Sequence, residues 1–153
     1  MTDLAHLALS DAARALAERL LARRPAWAPF LRRYERVHPG DLTSPGTLEL
    51  ELPSPADPAM PLWLTMEDGE ALVGLGHRAA ERLFNWEPGE SEAAATAVLD
   101  FLDAVVAGRV VGAWRRHRFL WRTWETCQFA DAAEAAADRR VVRVSRWPAT
   151  DAP

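Results

Sequence analysis

The segment Thr47-Leu48-Glu49-Leu50-Glu51-Leu52 decides the fold class, because leucine alternates strictly with polar residues along it. Successive side chains of a strand point to opposite faces, so Leu48, Leu50 and Leu52 share one face and Glu49 and Glu51 the other. Such a strand is half buried, with its leucine face turned to a core. Downstream, residues 62–75 read LWLTMEDGEALVGL. The spacing predicts strands over 62–66 and 71–75, joined at Asp68-Gly69 by a type I′ turn, for which Asp-Gly is a preferred pair. A loop carrying Pro53, Pro55, Pro58 and Pro61 separates this hairpin from the first strand.

Working outward, Ala13, Leu16, Ala17, Leu20 and Leu21 recur at helical spacing over 10–24, with Ser10 as N-cap and Pro25 as stop. Trp27, Phe30, Leu31, Tyr34 and Val37 repeat the i, i+3, i+4, i+7 pattern, which predicts a second, shorter helix ending before His38-Pro39-Gly40, with Pro29 in its first turn. Residues 77–86, HRAAERLFNW, fit a short helix or an extended edge strand. A long helix is expected with Ser91 as its N-cap, with Ala94, Ala95, Val98, Leu99, Phe101, Leu102, Val105 and Val106 as its apolar stripe and Gly108 as its C′ glycine. Strands over 109–115 and 119–125 around a polar turn Arg116-His117-Arg118, an Ala-rich helix over 129–137 and a last strand over 139–147 complete the chain. The expected class is α+β, in the order α-α-β-β-β-α-β-β-α-β, with a largely antiparallel sheet of about six strands covered by helices. Residues 1–148 read as one domain and 149–153 as a disordered tail.

Composition narrows the class. The 153 residues are 49% hydrophobic and 26% charged, the balance of a folded domain and not of a disordered or coiled-coil chain. No apolar run approaches the ~18 residues of a membrane span, and MTDLAHLALSD is too acidic and polar for a secretory signal. One cysteine fits a reducing cytoplasm. All 18 basic residues are arginine and isoleucine is absent, a bias expected of a GC-rich bacterial coding sequence. Charge is segregated: net +3 over 1–40, −11 over 41–108 and +4 over 109–153, summing to −4. That total argues against general nucleic-acid binding, and no membrane contact is expected. Segments of such opposed sign either pair within the fold or present distinct electrostatic faces.

Candidate chemistry is sparse. Gly74-Leu75-Gly76-His77-Arg78-Ala79 matches a G-x-G-x-x-A dinucleotide pattern. The required crossover helix and acidic residue are missing, because Pro88-Gly89 interrupts. His77 and Glu81 supply two candidate ligands where zinc takes three or four, so no metal and no cofactor is expected. Cys127 has no local partner to make it a thiolate and reads as a small buried hydrophobe. Asp100 and Asp103 lie off the apolar stripe of the long helix and read as solvated.

The most unusual segment is 114–124, WRRHRFLWRTW, with four Arg and three Trp in 11 residues. Both types are enriched at binding hot spots, since each buries a large rigid area and the two can stack as cation on π face.

Residues 62–77, then Leu83-Phe84-Asn85-Trp86, then 97–111 carry a layout of hairpin, aromatic turn, helix and strand. This stretch resembles small α+β immunity-type proteins of bacterial toxin systems. Such relatives often place two histidines and an aromatic after the third strand, where this chain has His77 and Phe84. The resemblance implies a protein that acts by binding and masking a partner, without catalytic residues.

The expected function is therefore non-enzymatic binding of a partner protein through a charged surface, in the manner of an immunity-like inhibitor. A basic partner would meet Glu67, Asp68, Glu70 and Glu87, with Glu90 and Glu92. An acidic one would meet Arg115, Arg116, Arg118 and Arg122, with Trp114 and Trp121. The alternative is a small-ligand-binding protein or enzyme with a pocket between sheet and helices, floored by Trp63, Trp114 and Trp121 and bordered by His77, Phe84 and Trp86.

Overall fold

The computed structural model describes residues 4, 7, 9–34, 47–55, 57–67, 69–76, 80–85 and 89–147. Elements follow in the order α1 (Asp11–Arg23), a 3₁₀ turn (Pro25–Phe30), β1 (Leu31–Tyr34), β2 (Thr47–Leu52), β3 (Leu62–Glu67), β4 (Glu70–Leu75), β5 (Ala80–Asn85), α2 (Ser91–Val106), β6 (Val110–Phe119), β7 (Arg122–Asp131), α3 (Ala132–Ala137) and β8 (Val141–Ser145). Helices and antiparallel strands are mixed as expected, but the strands form two sheets instead of one. A five-stranded sheet runs β1-β2-β3-β4-β5, and a three-stranded sheet runs β7-β6-β8. The chain divides into two compact units, Met1–Leu52 with Trp63–Leu72 and Leu83–Leu99, and Pro53–Leu62 with Val73–Arg82 and Asp100–Pro153.

In the first unit, α1 begins where expected. The Ser10 hydroxyl accepts from the Ala13 N–H at 3.3 Å, satisfying one of the donors a helix start leaves open. Ala13, Leu16, Ala17 and Leu20 form its buried face, and it packs on the 3₁₀ turn and β2. The predicted second helix is absent. Pro25 and Pro29 cannot donate backbone bonds, so 25–30 winds only as a 3₁₀ turn. The chain then extends, and Leu31 to Tyr34 pair antiparallel with Leu50 to Thr47 of β2. The helical spacing of Trp27, Phe30, Leu31 and Tyr34 is thus split between a turn and a strand; His38-Pro39-Gly40 lies outside the described residues. In β2, Leu48, Leu50 and Leu52 are buried and Glu51 is exposed, as alternation requires.

In the β3–β4 hairpin, Leu62, Leu64, Met66, Ala71, Val73 and Leu75 are buried. Gly69 has φ +78°, a conformation that glycine adopts without steric cost; Asp68 lies outside the described residues. Within the segment left open between helix and strand, residues 80–85 form β5, the remainder lying outside the described residues.

In the second unit, α2 ends in a Schellman motif. The Gly108 N–H donates to the Val105 carbonyl at 3.0 Å and the Arg109 N–H to Ala104 at 2.9 Å, with Gly108 at φ +69°. The Ala94 N–H donates to the Glu90 carbonyl, so Ser91 is the first helical residue and not the cap. Phe101 of α2 meets Phe129 of β7 edge to face at 5.0 Å. β6 and β7 pair without a break over ten positions, from Val110↔Asp131 to Phe119↔Arg122. The turn therefore falls at Leu120-Trp121, not at Arg116-His117-Arg118, and both strands are longer than predicted. α3 starts at Ala132, not Phe129, because Asp131 caps it: its carboxylate accepts from the N–H groups of Ala133 and Glu134. Ala135 packs with Val111 and Ala113 in a small core edged by Ala130, Ala132 and Val141. Residues 149–153 are outside the described set.

Candidate functional site: the β6–β7 hairpin

Exposure grades along this hairpin. Val111 and Ala113 at its base are fully buried, whereas at its end Phe119 is 67% exposed, Leu120 64%, Trp121 82% and Trp124 47%. β8 accompanies β6 only through Arg115↔Val141, with one further bond from the Arg116 N–H to the Arg140 carbonyl. Beyond that point the hairpin is a two-stranded ribbon, projecting about 10 Å at ~3.3 Å per residue.

Two-stranded ribbons are marginal alone, and this one is braced by its side chains. His117 stacks on Trp124, its paired residue, with centroids 5.6 Å apart and planes 17° off parallel. Its Nε2 lies 2.8 Å from the Thr126 hydroxyl. Arg116 and its paired residue Glu125 form a 2.9 Å ion pair.

The four arginines named from sequence divide into two classes. Arg115 is largely buried: its Nε donates to Asp138 at 2.9 Å, and both side chains are only 19% exposed. Asp138 also accepts from the backbone N–H and the guanidinium of Arg140. These donors hold its carboxyl well below the usual carboxylate range, the Arg140 side-chain bond first and the Arg115 bond next. Arg115 thus ties β6 to the C-terminal end of α3, and Arg116 is committed to Glu125. Arg118 and Arg122 are exposed and form no ion pair among the described residues. They flank the apolar end as a cationic collar.

Trp114 is half buried and structural. Its Nε1–H donates to the Ser145 hydroxyl at 3.0 Å, and the Arg143 guanidinium lies 4.0 Å from its ring centroid. Trp121, at the hairpin end, cannot floor a pocket. Trp63 in β3 and Phe84 in β5 are half buried; Glu67 and Glu70 are exposed at the β3–β4 turn. Asp68, His77, Trp86 and Glu87 lie outside the described residues. Sequence reasoning omitted Phe119, Leu120 and Trp124 from the site. Trp124 was legible in the Arg/Trp run, but no turn residue marks Leu120-Trp121, so nothing announced that these side chains crown a hairpin.

The other candidate residues named from sequence are placed as follows where they are described. Cys127 faces Gly112 and Trp114, and burial pushes its thiol up to about 11 against the lowering influence of Arg143, so it stays protonated at neutral pH. Gly74 sits inside β4, and Gly76, at φ +70°, donates its N–H to the Pro61 carbonyl. His77 to Ala79 lie outside the described residues, and the next described element is the strand β5 and not a crossover helix. Among the described residues no group of three or more His, Cys, Asp or Glu could hold a metal ion. A shallow groove between α1 and α2 is lined by Ala12, Ala15, Leu16 and Ala95. Its two charged side chains, Arg19 and Glu92, already pair at 3.1 Å. No described helix is long and apolar enough to cross a membrane.

No protein-family model matches the chain, and no curated protein or solved structure matches it significantly.

Proposed function

We propose that this chain is a non-enzymatic protein-binding module that covers an acidic site on a partner, as an immunity-type inhibitor would, in a bacterial cytoplasm. The observation that carries this reading is the end of the β6–β7 hairpin. Phe119, Leu120, Trp121 and Trp124 are exposed together and flanked by the uncommitted cations Arg118 and Arg122. Large rigid aromatics beside arginine are the composition of interface anchors, and an apolar end on a narrow ribbon fits a cleft better than a flat surface. The cations select an acidic rim and accelerate encounter, while the aromatics hold the complex once water is expelled.

The test is affinity capture from the native lysate with the unaltered protein, Trp121→Ala and the double variant Arg118→Glu, Arg122→Glu. One stoichiometric protein should be retained by the unaltered chain, be lost at high salt and be lost from both variants. A partner retained equally by all three rejects the hairpin as its contact. Recovery of a small molecule instead of a protein rejects the masking role.

A further inference from the structure

The outer edge of β7 is as unusual as the hairpin end. β7 is the terminal strand of its sheet, ten residues long, paired with β6 without a bulge and containing neither proline nor glycine. Open edges are normally blunted by such features or by unpaired charge, because a row of free N–H and C=O groups invites another strand. The opposite edge, β8, is only five residues long and faces a register shift between Trp114 and Arg115. The charge at the middle of β7, Glu125, is taken up by Arg116.

The hydrogen-bond phase identifies which groups are open. The Ala132 N–H donates to the Arg109 carbonyl, extending the Val110↔Asp131 register by one hydrogen-bonded pair. Antiparallel pairs alternate, so Ala130, Gln128, Thr126, Trp124 and Arg122 bond to β6. The Arg116 N–H, bonded to Arg140 on the other side, confirms the phase. Thr123, Glu125, Cys127 and Phe129 therefore point their backbone groups outward, with no strand beyond them among the described residues.

We propose that this edge is the seam of a homodimer, in which β7 pairs antiparallel with β7 of a second copy about a two-fold axis at Thr126. The strand is self-complementary in that orientation. In that register Arg122 of one copy stands opposite Ala130 of the other, and Asp131, on the other face, stays with the start of its own α3, so the pairing brings no like charges together. An acidic peptide is the poorer occupant, because β7 holds one Arg against Glu125 and Asp131 and offers no cationic track. Outward groups must meet outward groups, which leaves three central registers. Centring on Glu125 opposes two carboxylates, and centring on Cys127 brings together two half-buried thiols. Centring on Thr126 pairs Thr126 with its own copy, Glu125 with Cys127 and Thr123 with Phe129, with no like charges opposed. The two hairpin ends then lie at opposite ends of a continuous six-stranded sheet. The seam does not rest on the partner-binding role of the hairpin end.

Three measurements on the full chain test it. Sedimentation of the unaltered protein should give twice the mass of one chain, dissociating on dilution. Amide exchange at Thr123, Glu125 and Cys127 should slow by about tenfold or more between dilute and concentrated protein. In a Cys127→Ser background, Thr126→Cys should form a disulfide-linked dimer under mild oxidation, since facing non-hydrogen-bonded pairs lie about 4.5 Å apart at Cα. Glu125→Cys, two positions out of register with its own copy, should not. Trp121→Ala should leave the dimer intact while abolishing partner capture, which separates failure of this seam from failure of the partner-binding reading. A chain that stays monomeric, a dimer whose three amides exchange freely, or cross-linking at 125 and not at 126 would each overturn the seam.

Discussion

Leu120 sets local stability against exposure more plainly than any other residue. It occupies φ +53°, where a non-glycine residue is strained by about 1 kcal/mol or more, and its side chain is 64% exposed, so little burial offsets the strain. Leu120→Gly should therefore raise the unfolding free energy by up to about 1 kcal/mol in denaturant titration while weakening partner capture. Cys127 shows the opposite economy, a potentially reactive group kept inert by burial. With its thiol at about 11, alkylation at pH 8 should run about a hundredfold slower than for a free cysteine, and unfolding should restore the ordinary rate. Asp138 links charge to stability. Its folded pKa is depressed, so the unfolded chain takes up a proton near pH 4 while the folded chain does not. The stability it contributes is present above about pH 4 and is lost as pH falls below that value toward its folded pKa. Asp138→Asn should lower stability at pH 7 and flatten the acid limb of the stability profile measured by thermal unfolding.

At the scale of elements, legibility followed the strength of the local signal. Thr47–Leu52 was readable because alternation with a period of two has one structural meaning, and α1 because Ser10 and Pro25 bracket it. The segment 27–37 misled because its apolar spacing fits a helix while Pro25 and Pro29 deny the backbone the bonds of one. The hairpin turn was misplaced for a related reason. A cluster of Arg and His reads as a solvated turn, yet Arg116 and His117 are held on a ladder by Glu125, Trp124 and Thr126, and the true turn lacks Asn, Asp or Gly. Gly112 was invisible as a packing site, since only the folded sheet shows what surrounds it. A Cβ there would lie 3.2 Å from Cys127 Sγ and 3.3 Å from Leu75 Cδ2. Gly112→Ala should destabilise by about 1 kcal/mol through overpacking, and Cys127→Ala should relieve part of that in a double-mutant cycle.

Across the whole molecule, the segregated charge seen in the sequence is partly neutralised by the fold and partly left on display. Arg19 of the basic first segment pairs with Glu92 of the acidic middle. Within the last segment, Glu125 is taken by Arg116, Asp131 caps α3 and Asp138 serves Arg115 and Arg140. Structural duties thus occupy Glu125, Asp131 and Asp138 and leave Arg118 and Arg122 outward beside the aromatic hairpin end. Which arginines were structural and which free could not be read from 114–124, because the deciding partners, Asp138 and Glu125, reach them only through strand pairing. The most direct measurement is photo-cross-linking in cells that naturally contain the protein, with a photoreactive phenylalanine analogue at Trp121 and, separately, at the exposed Leu83. A single protein adduct from position 121, absent from position 83 and lost when Arg118 and Arg122 are reversed to Glu, is the predicted result. No adduct at 121, or the same adduct from both positions regardless of those charges, would contradict the assignment of the hairpin end as the docking surface.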